Sequence, residues 1–497
     1  MTIRKQITSS FSAAVVFLWA WLLPFRASAQ SLSLNDAIRI AQENSYSAQV
    51  ARFSFMASYW TYRSFKAELL PSVNLNGGLM NFDHSLVSTR NYEDGRLAYV
   101  DNNTLSNNLA LSLDQRIAAT GGTVSLRSYL YRLDQFTYKE KTYNSQPLHI
   151  SYSQPLRAFN QLKWDKKTAP VEYEIAQKTY ISNMQTIALN VTTLFFNALT
   201  AQSNYQQSQS NVEDRERLYG IAKQRLDLGT VTKSDVLQME LSLLNARVAR
   251  NKNRIRLDDA MYDLFSYLRV TEYDEAELLP PFDVPDMLLE LEEVIEKAIA
   301  NSAHTREQKL AMLNAEKELV KAKANQGLQV SLNGQLGFMQ TGHTFSDAYN
   351  RLQDNEVVGL TLQLPIFDWG VSRGRVKMAK AKMEMVRSEQ EQSHQDYIQE
   401  LRKKVMQFNS NPVQCQDAQR AQEISEERYE ISRRRYEAGT ISVTELNTAQ
   451  SEMENAKSQY LTQLNTFWTD YYGLQKATLY DWIRKQDIAV DFEELVK

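Results

Sequence analysis

Arg225-Leu226-Asp227-Leu228-Gly229-Thr230 and Arg435-Tyr436-Glu437-Ala438-Gly439-Thr440 stand at one offset of 210 residues (229 against 439), and the sequence around them corresponds without a gap. Ile221 is answered by Ile431, Asp235 by Glu445, Asn245 by Asn455, Ala246 by Ala456 and Tyr262 by Tyr472. A glycine that closes one helix, followed by a hydroxyl residue and an acid that open the next, is the signature of a tight turn between antiparallel helices. A second gapless correspondence, at an offset of 257 (34 against 291), pairs Leu34, Ile38, Ala41, Asn44 and Ser45 with Leu291, Ile295, Ala298, Asn301 and Ser302. It continues from Val73-Asn74-Leu75-Asn76-Gly77 to Val330-Ser331-Leu332-Asn333-Gly334. The chain therefore reads as one large unit written twice.

Outward from the first turn, helical periodicity fills about 168–228, with Pro170 placed in its first turn, a run of roughly 90 Å at 1.5 Å per residue. A helix to about 270 follows, capped by Thr232 or Ser234, with Val236, Met239, Leu243 and Ala246 on one stripe. The second turn sits between a helix of about 373–438, with Pro412 as its candidate kink, and a last helix reaching about 480. Helices of about 34–70 and 288–326 precede the two strand regions.

The strand regions alternate. Val73, Leu75, Gly77 and Leu79 are separated by polar or small residues, as are Leu105, Leu109, Leu111 and Leu113. Ala119-Thr120-Gly121-Gly122 reads as a short turn, and 84–103 and 137–146 as long polar loops. Strands are expected at about 72–156 and 328–366, the latter pair divided by a loop of 340–356. Long loops alternating with short turns fit a membrane β-barrel, whose strands escape hydropathy searches because only alternate residues face lipid.

Residues 1–29 carry Arg4 and Lys5, an apolar stretch and Ala27-Ser28-Ala29, the pattern of an export signal cleaved before Gln30. The expected organisation is a signal of 1–29, a first repeat of 30–270, a linker of 271–287 rich in proline, a second repeat of 288–480 and a tail of 481–497. The formal charge of −3 becomes −6 when Arg4, Lys5 and Arg26 leave with the signal, which argues against nucleic acid as a partner. A single cysteine, Cys415, excludes an internal disulfide. The histidines are scattered, and no metal, phosphate or nucleophile motif stands out, so no catalytic residue, metal or cofactor is expected.

With helix, strand hairpin, long helix, Gly-Thr turn and helix in duplicate, the chain resembles the TolC-like outer membrane efflux protein family. The resemblance rests on Leu70-Pro71-Ser72-Val73, on Gln154-Pro155-Leu156 against Leu364-Pro365-Ile366-Phe367-Asp368-Trp369-Gly370, and above all on the two Gly-Thr turns. It implies an α+β membrane protein, a homotrimer in which shared strands close an outer-membrane β-barrel continued by a long periplasmic α-helical barrel. It also implies an exit duct working with a periplasmic adaptor and an inner-membrane pump or type I secretion system. A periplasmic helical-hairpin adaptor or coiled-coil protein is the alternative.

By motif match, Arg225, Leu226, Gly229, Thr230 and Val231, with Arg435, Gly439, Thr440 and Ile441, are the candidate adaptor-docking residues. Glu445, with Asp235 as its counterpart, is the candidate entrance constriction. Three features depart from the family pattern. About 104–136 reads as an added hairpin, giving either six strands per protomer and eighteen per trimer, or twelve with the hairpin lying on a soluble face. Leu328 stands where a proline is expected, and Arg157-Ala158-Phe159 replaces the Phe-Asp-x-Gly turn, which leaves the first-half corner geometry open.

Overall fold

The computed structural model describes residues 31–90, 95–271 and 276–496; the expected signal segment lies outside them. The chain divides into two units, one of 1–50, 183–289 and 404–475, the other of 51–182, 290–403 and 476–497.

The elements run α1 (Leu34–Asn44), α2 (Tyr46–Glu68), β1 (Ser72–Arg90), β2 (Leu97–Arg116), β3 (Thr123–Gln135), β4 (Glu140–Arg157), α3 (Gln161–Asp227) and α4 (Lys233–Leu268). Then come α5 (Leu291–Asn301), α6 (Ala303–Gln326), β5 (Gln329–Gly342), β6 (Gln353–Gln363), α7 (Val371–Glu437) and α8 (Val443–Thr478). Both α3 and α7 have 67 residues, and both α4 and α8 have 36. Among the described residues no helix is long and apolar enough to cross a membrane.

In the second unit, the strands form one six-stranded sheet in sequence order, β1-β2-β3-β4-β5-β6, every neighbour antiparallel. Directly paired residues project to the same face, which sorts the sheet into two sides. Val73, Leu113, Leu126, Ile150 and Leu336 are successive partners on one face; Asn74, Ser112, Arg127, His149 and Gly337 follow one another on the other. The supposed added hairpin is part of this sheet, as its second and third strands, β2 and β3. The expected loop of 84–103 is a correction: its flanks pair from His84–Asn103 to Arg90–Leu97 as a continuation of β1 and β2. Likewise β4 starts at Glu140, and the loop of 340–356 shrinks to a segment holding a 3-10 turn, Asp347–Tyr349.

Helix α3 starts at Gln161, not 168, which puts Pro170 inside it rather than in its first turn. The helix expected over 34–70 is two helices. Ser45, at ψ 152, leaves helical geometry while its N–H donates to the Ala41 carbonyl at 3.0 Å, and its hydroxyl accepts from Ala48 N–H at 3.1 Å to open α2. The corners before the long helices use different residues for one task. Asp368 accepts from the Gly370 and Ser372 N–H groups at 3.0 and 2.8 Å; Asn160 Oδ1 accepts from Lys163 N–H at 3.0 Å, and its amide donates to the Ala118 carbonyl at 3.0 Å. An Asn-capped corner thus substitutes for the missing Phe-Asp-x-Gly turn.

In the first unit, α3, α4, α7 and α8 bring Leu218, Ala222, Val236, Met239, Tyr429, Tyr436, Val443, Leu446, Ala449 and Met453 into one buried cluster. This core carries the two Gly-Thr turns.

Candidate functional site at the paired helix turns

Both turns have the same backbone, and the reason is glycine. Gly229 has φ +72 and Gly439 φ +80, a left-handed conformation that costs residues with a Cβ about 1 kcal/mol or more. The N–H of Gly229 donates to Leu226 O and that of Thr230 to Arg225 O, both at 2.9 Å. The second turn repeats the pair as Gly439 to Tyr436 and Thr440 to Arg435, again at 2.9 Å. This double bond pattern satisfies carbonyls that the helix end leaves open. Each threonine hydroxyl adds a bond to the same arginine carbonyl, at 3.1 Å from Thr230 and 3.0 Å from Thr440.

The side chains then part company. Arg225 reaches across to the other turn, where Nη2 donates to the Glu437 carbonyl at 2.6 Å and Nη1 to the Tyr436 carbonyl at 3.3 Å. It caps the end of α7 with a full positive charge, where the helix dipole is negative. Its repeat counterpart Arg435 makes no such bridge. It pairs with Glu445 at 3.9 Å, both about half exposed.

The two acids differ in the same way. Asp235 completes a capping box: its Oδ2 accepts from the Thr232 N–H at 2.9 Å and hydroxyl at 2.8 Å, while Thr232 Oγ1 accepts from the Asp235 N–H at 3.2 Å. The backbone and then the side chain of Thr232 hold the Asp235 carboxyl below the usual aspartate range. Thr232, not Ser234, is the cap. Opposite, Ser442 takes the capping role for α8 by accepting from the Glu445 N–H at 3.2 Å, and the Glu445 carboxylate is left for Arg435.

Of the expected docking residues, Leu226, Val231 and Ile441 pack partly against the core beneath the turns, while Gly229, Thr230, Gly439 and Thr440 are exposed. Leu228, 77% exposed at the first turn, was not among them. Also unanticipated is a polar network beneath the turns. Arg215, 7% exposed, donates through Nη2 to Gln450, which with Asn211 donates to Glu454 at 2.9 and 2.7 Å; Arg215 Nη1 has no protein partner. Tyr429 donates its hydroxyl to Asp214 at 3.2 Å, and burial pushes the phenol above its ordinary value. The available signal was periodicity: Ser208, Val212, Arg215, Leu218 and Ala222 form one buried stripe, and an arginine on such a stripe demands partners. Among the described residues no group of His, Cys, Asp and Glu could hold a metal ion.

Set against known proteins, residues 37–268 and 294–478 match the profile of the family described as outer membrane efflux protein. No curated protein matches the sequence. Among solved structures, the chain is similar to the CmeC outer membrane channel of Campylobacter jejuni, at 14% identity and TM-score 0.63, covering 93% of this chain and 89% of that one. The outer membrane protein VceC of Vibrio cholerae gives 14% identity, TM-score 0.61 and coverage of 90% and 95%. The open MtrE outer membrane channel of Neisseria gonorrhoeae gives 16%, 0.60, and coverage of 92% and 91%.

Proposed function

The chain belongs to the outer membrane efflux protein family, and on that premise we propose that it is the exit duct of a tripartite export assembly, docking its adaptor on the paired turns. It is an outer-membrane efflux channel that extends into the periplasm, and a channel rather than an enzyme. Each protomer is built from two repeats, 30–270 and 288–480, joined by the linker 271–287, behind a cleaved signal of 1–29 and ahead of a tail of 481–497. Three protomers close one β-barrel and continue it as a helical tunnel. Supporting this is the state of the sheet: among the described residues β1 and β6 each leave an edge without a partner, which a lipid environment does not tolerate until another strand covers it.

The paired turns form the periplasmic mouth. Arg225, Leu226, Gly229, Thr230, Val231, Arg435, Gly439, Thr440 and Ile441 make or support the adaptor contact, with an inner-membrane pump or secretion ATPase supplying the energy. The observation that carries this reading is the Arg225 bridge to Tyr436 and Glu437, which holds two separate turns as one surface. Glu445 is the acid available to narrow the entrance, since Asp235 is held by Thr232. A photocrosslinker at Thr230 or Thr440 tests the docking directly in cells carrying the neighbouring export genes. Adducts to an exported helical-hairpin protein support it; adducts only from positions remote from the turns overturn it.

A further inference from the structure

We infer that all six strands of each protomer enter the barrel, giving eighteen in the trimer and a wide, polar-lined mouth that takes large hydrophilic cargo. This rests on the trimeric duct proposed above. Three features of the sheet carry it.

First, a row of apolar partners crosses β2 and β3. Leu113 pairs with Val73 on one side and Leu126 on the other, and Leu126 pairs in turn with Ile150. A hairpin packed on a soluble domain would bury its apolar face, whereas here Leu109, Leu111, Leu113 and Leu126 are 47%, 49%, 39% and 37% exposed. Here β2 and β3 place Leu109, Leu111, Leu113, Leu126 and Leu130 on the same face as the rest, as a lipid-facing wall requires.

Second, the apolar band drifts along the strands. The row through Leu113, Leu126, Ile150 and Leu336 ends at Glu356 in β6. In β2 the apolar residues lie on one side of that row, towards Leu105; in β6 they lie on the other, at Val358, Leu360 and Leu362. Such a band is level in a bilayer only when the strands lean, and the drift continues evenly through β2 and β3. Leaning strands with a regular stagger are the geometry of a closed barrel. With an even number of antiparallel strands, β1 and β6 run in opposite directions, so three copies close edge to edge in one unbroken meander.

Third, the loop between β5 and β6 folds away from the polar face. Ser145, which pairs with Leu130 and so belongs to the apolar side, donates its hydroxyl to the Ala348 carbonyl. Tyr143, the partner of Arg132 on that side, meets Phe345 edge-on at 6.3 Å. The face carrying Asn74, Ser112, Arg127 and His149 is left uncovered by this loop. Barrel diameter grows roughly in proportion to strand number, so eighteen strands give a cylinder about half as wide again as twelve. A mouth of that width, lined by hydroxyls, amides and a few charges of both signs, does not select by size among small solutes and accommodates polymer-sized ones.

Neighbouring residues of β3 separate the alternatives. Arg127→Cys and Leu126→Cys are made in the full chain, whose native Cys415 is buried. The purified protein is reconstituted and exposed to a membrane-impermeant thiol reagent, and neutral polyethylene glycols of graded mass are added from the extracellular side while conductance is read. The expected result is that the thiol of Arg127→Cys reacts and that of Leu126→Cys is protected. Polymer entry should also reach a higher mass cut-off than in a variant lacking Leu97–Gln135, which restores four strands per protomer. Reaction at both positions, or an image of the trimer with twelve strands, overturns the eighteen-stranded wall and leaves the duct standing. If the deletion variant does not assemble, the labelling pair and the strand count decide alone. A protein that forms no channel at all removes the duct, a result distinct from either.

Discussion

The Arg225 guanidinium donates to the Glu437 carbonyl at 2.6 Å, so one helix turn supplies the cap of the other. Two charge-assisted bonds at a part-buried site are worth about 2 kcal/mol together, after exchange with water. Arg225→Ala should therefore loosen the second turn, read as faster amide exchange at Gly439 and Thr440. Arg435→Ala removes only an exposed pair and should cost less than about 1 kcal/mol. Equal effects of the two would contradict the asymmetry.

Gly229→Ala and Gly439→Ala each place a Cβ on left-handed backbone and should each destabilise the turn by about 1 kcal/mol. The two should cost alike, because a Cβ at Gly439 meets the Arg225 guanidinium at an ordinary contact distance of 3.5 Å and one at Gly229 has open space, so the backbone alone sets the penalty. Comparative exchange at Thr230 and Thr440 checks the equality.

Thr232→Ala removes the cap of α4 and should cost about 1 kcal/mol of local stability. The Asp235 half of the box is sensitive to acid. Its folded pKa lies below the ordinary 3.8, so its contribution is complete above that value and is lost as pH falls through the depressed one. Protection of the first turn of α4 should fall on acidification below about pH 4 in the wild type and much less in Thr232→Ala.

Gln450→Leu should destabilise the first unit more than Arg215→Met. The former takes the hydrogen-bond acceptor from a buried guanidinium, a loss of about 2 kcal/mol, whereas the latter removes the charge and keeps most of the packing. Denaturation of both variants in detergent tests the inequality, and the reverse order would refute it.

If Glu445 narrows the entrance, Glu445→Gln should lower single-channel cation selectivity and Arg435→Gln should raise it, since the arginine partly neutralises the acid. Unchanged selectivity in both would remove the constriction.

The turns were legible in the sequence because only glycine takes their backbone cheaply, and a duplicated Gly-Thr therefore has few other meanings. The division of labour was not. Arg225 and Arg435 are equivalent by offset, and only the packing of α3 against α7 decides which reaches across. The pairing of 84–90 with 97–103 was not legible, because those residues keep their backbone ladder while their side chains no longer alternate between apolar and polar. Asn160 was missed for a related reason. It does the work of Asp368 from a sequence that shares none of the expected corner motif.

The decisive test is imaging of the detergent-purified protein at a resolution that separates strands. A duct requires a threefold particle with a central bore and a closed wall of strands contributed by all three copies. A water-soluble monomer with no bore would contradict it.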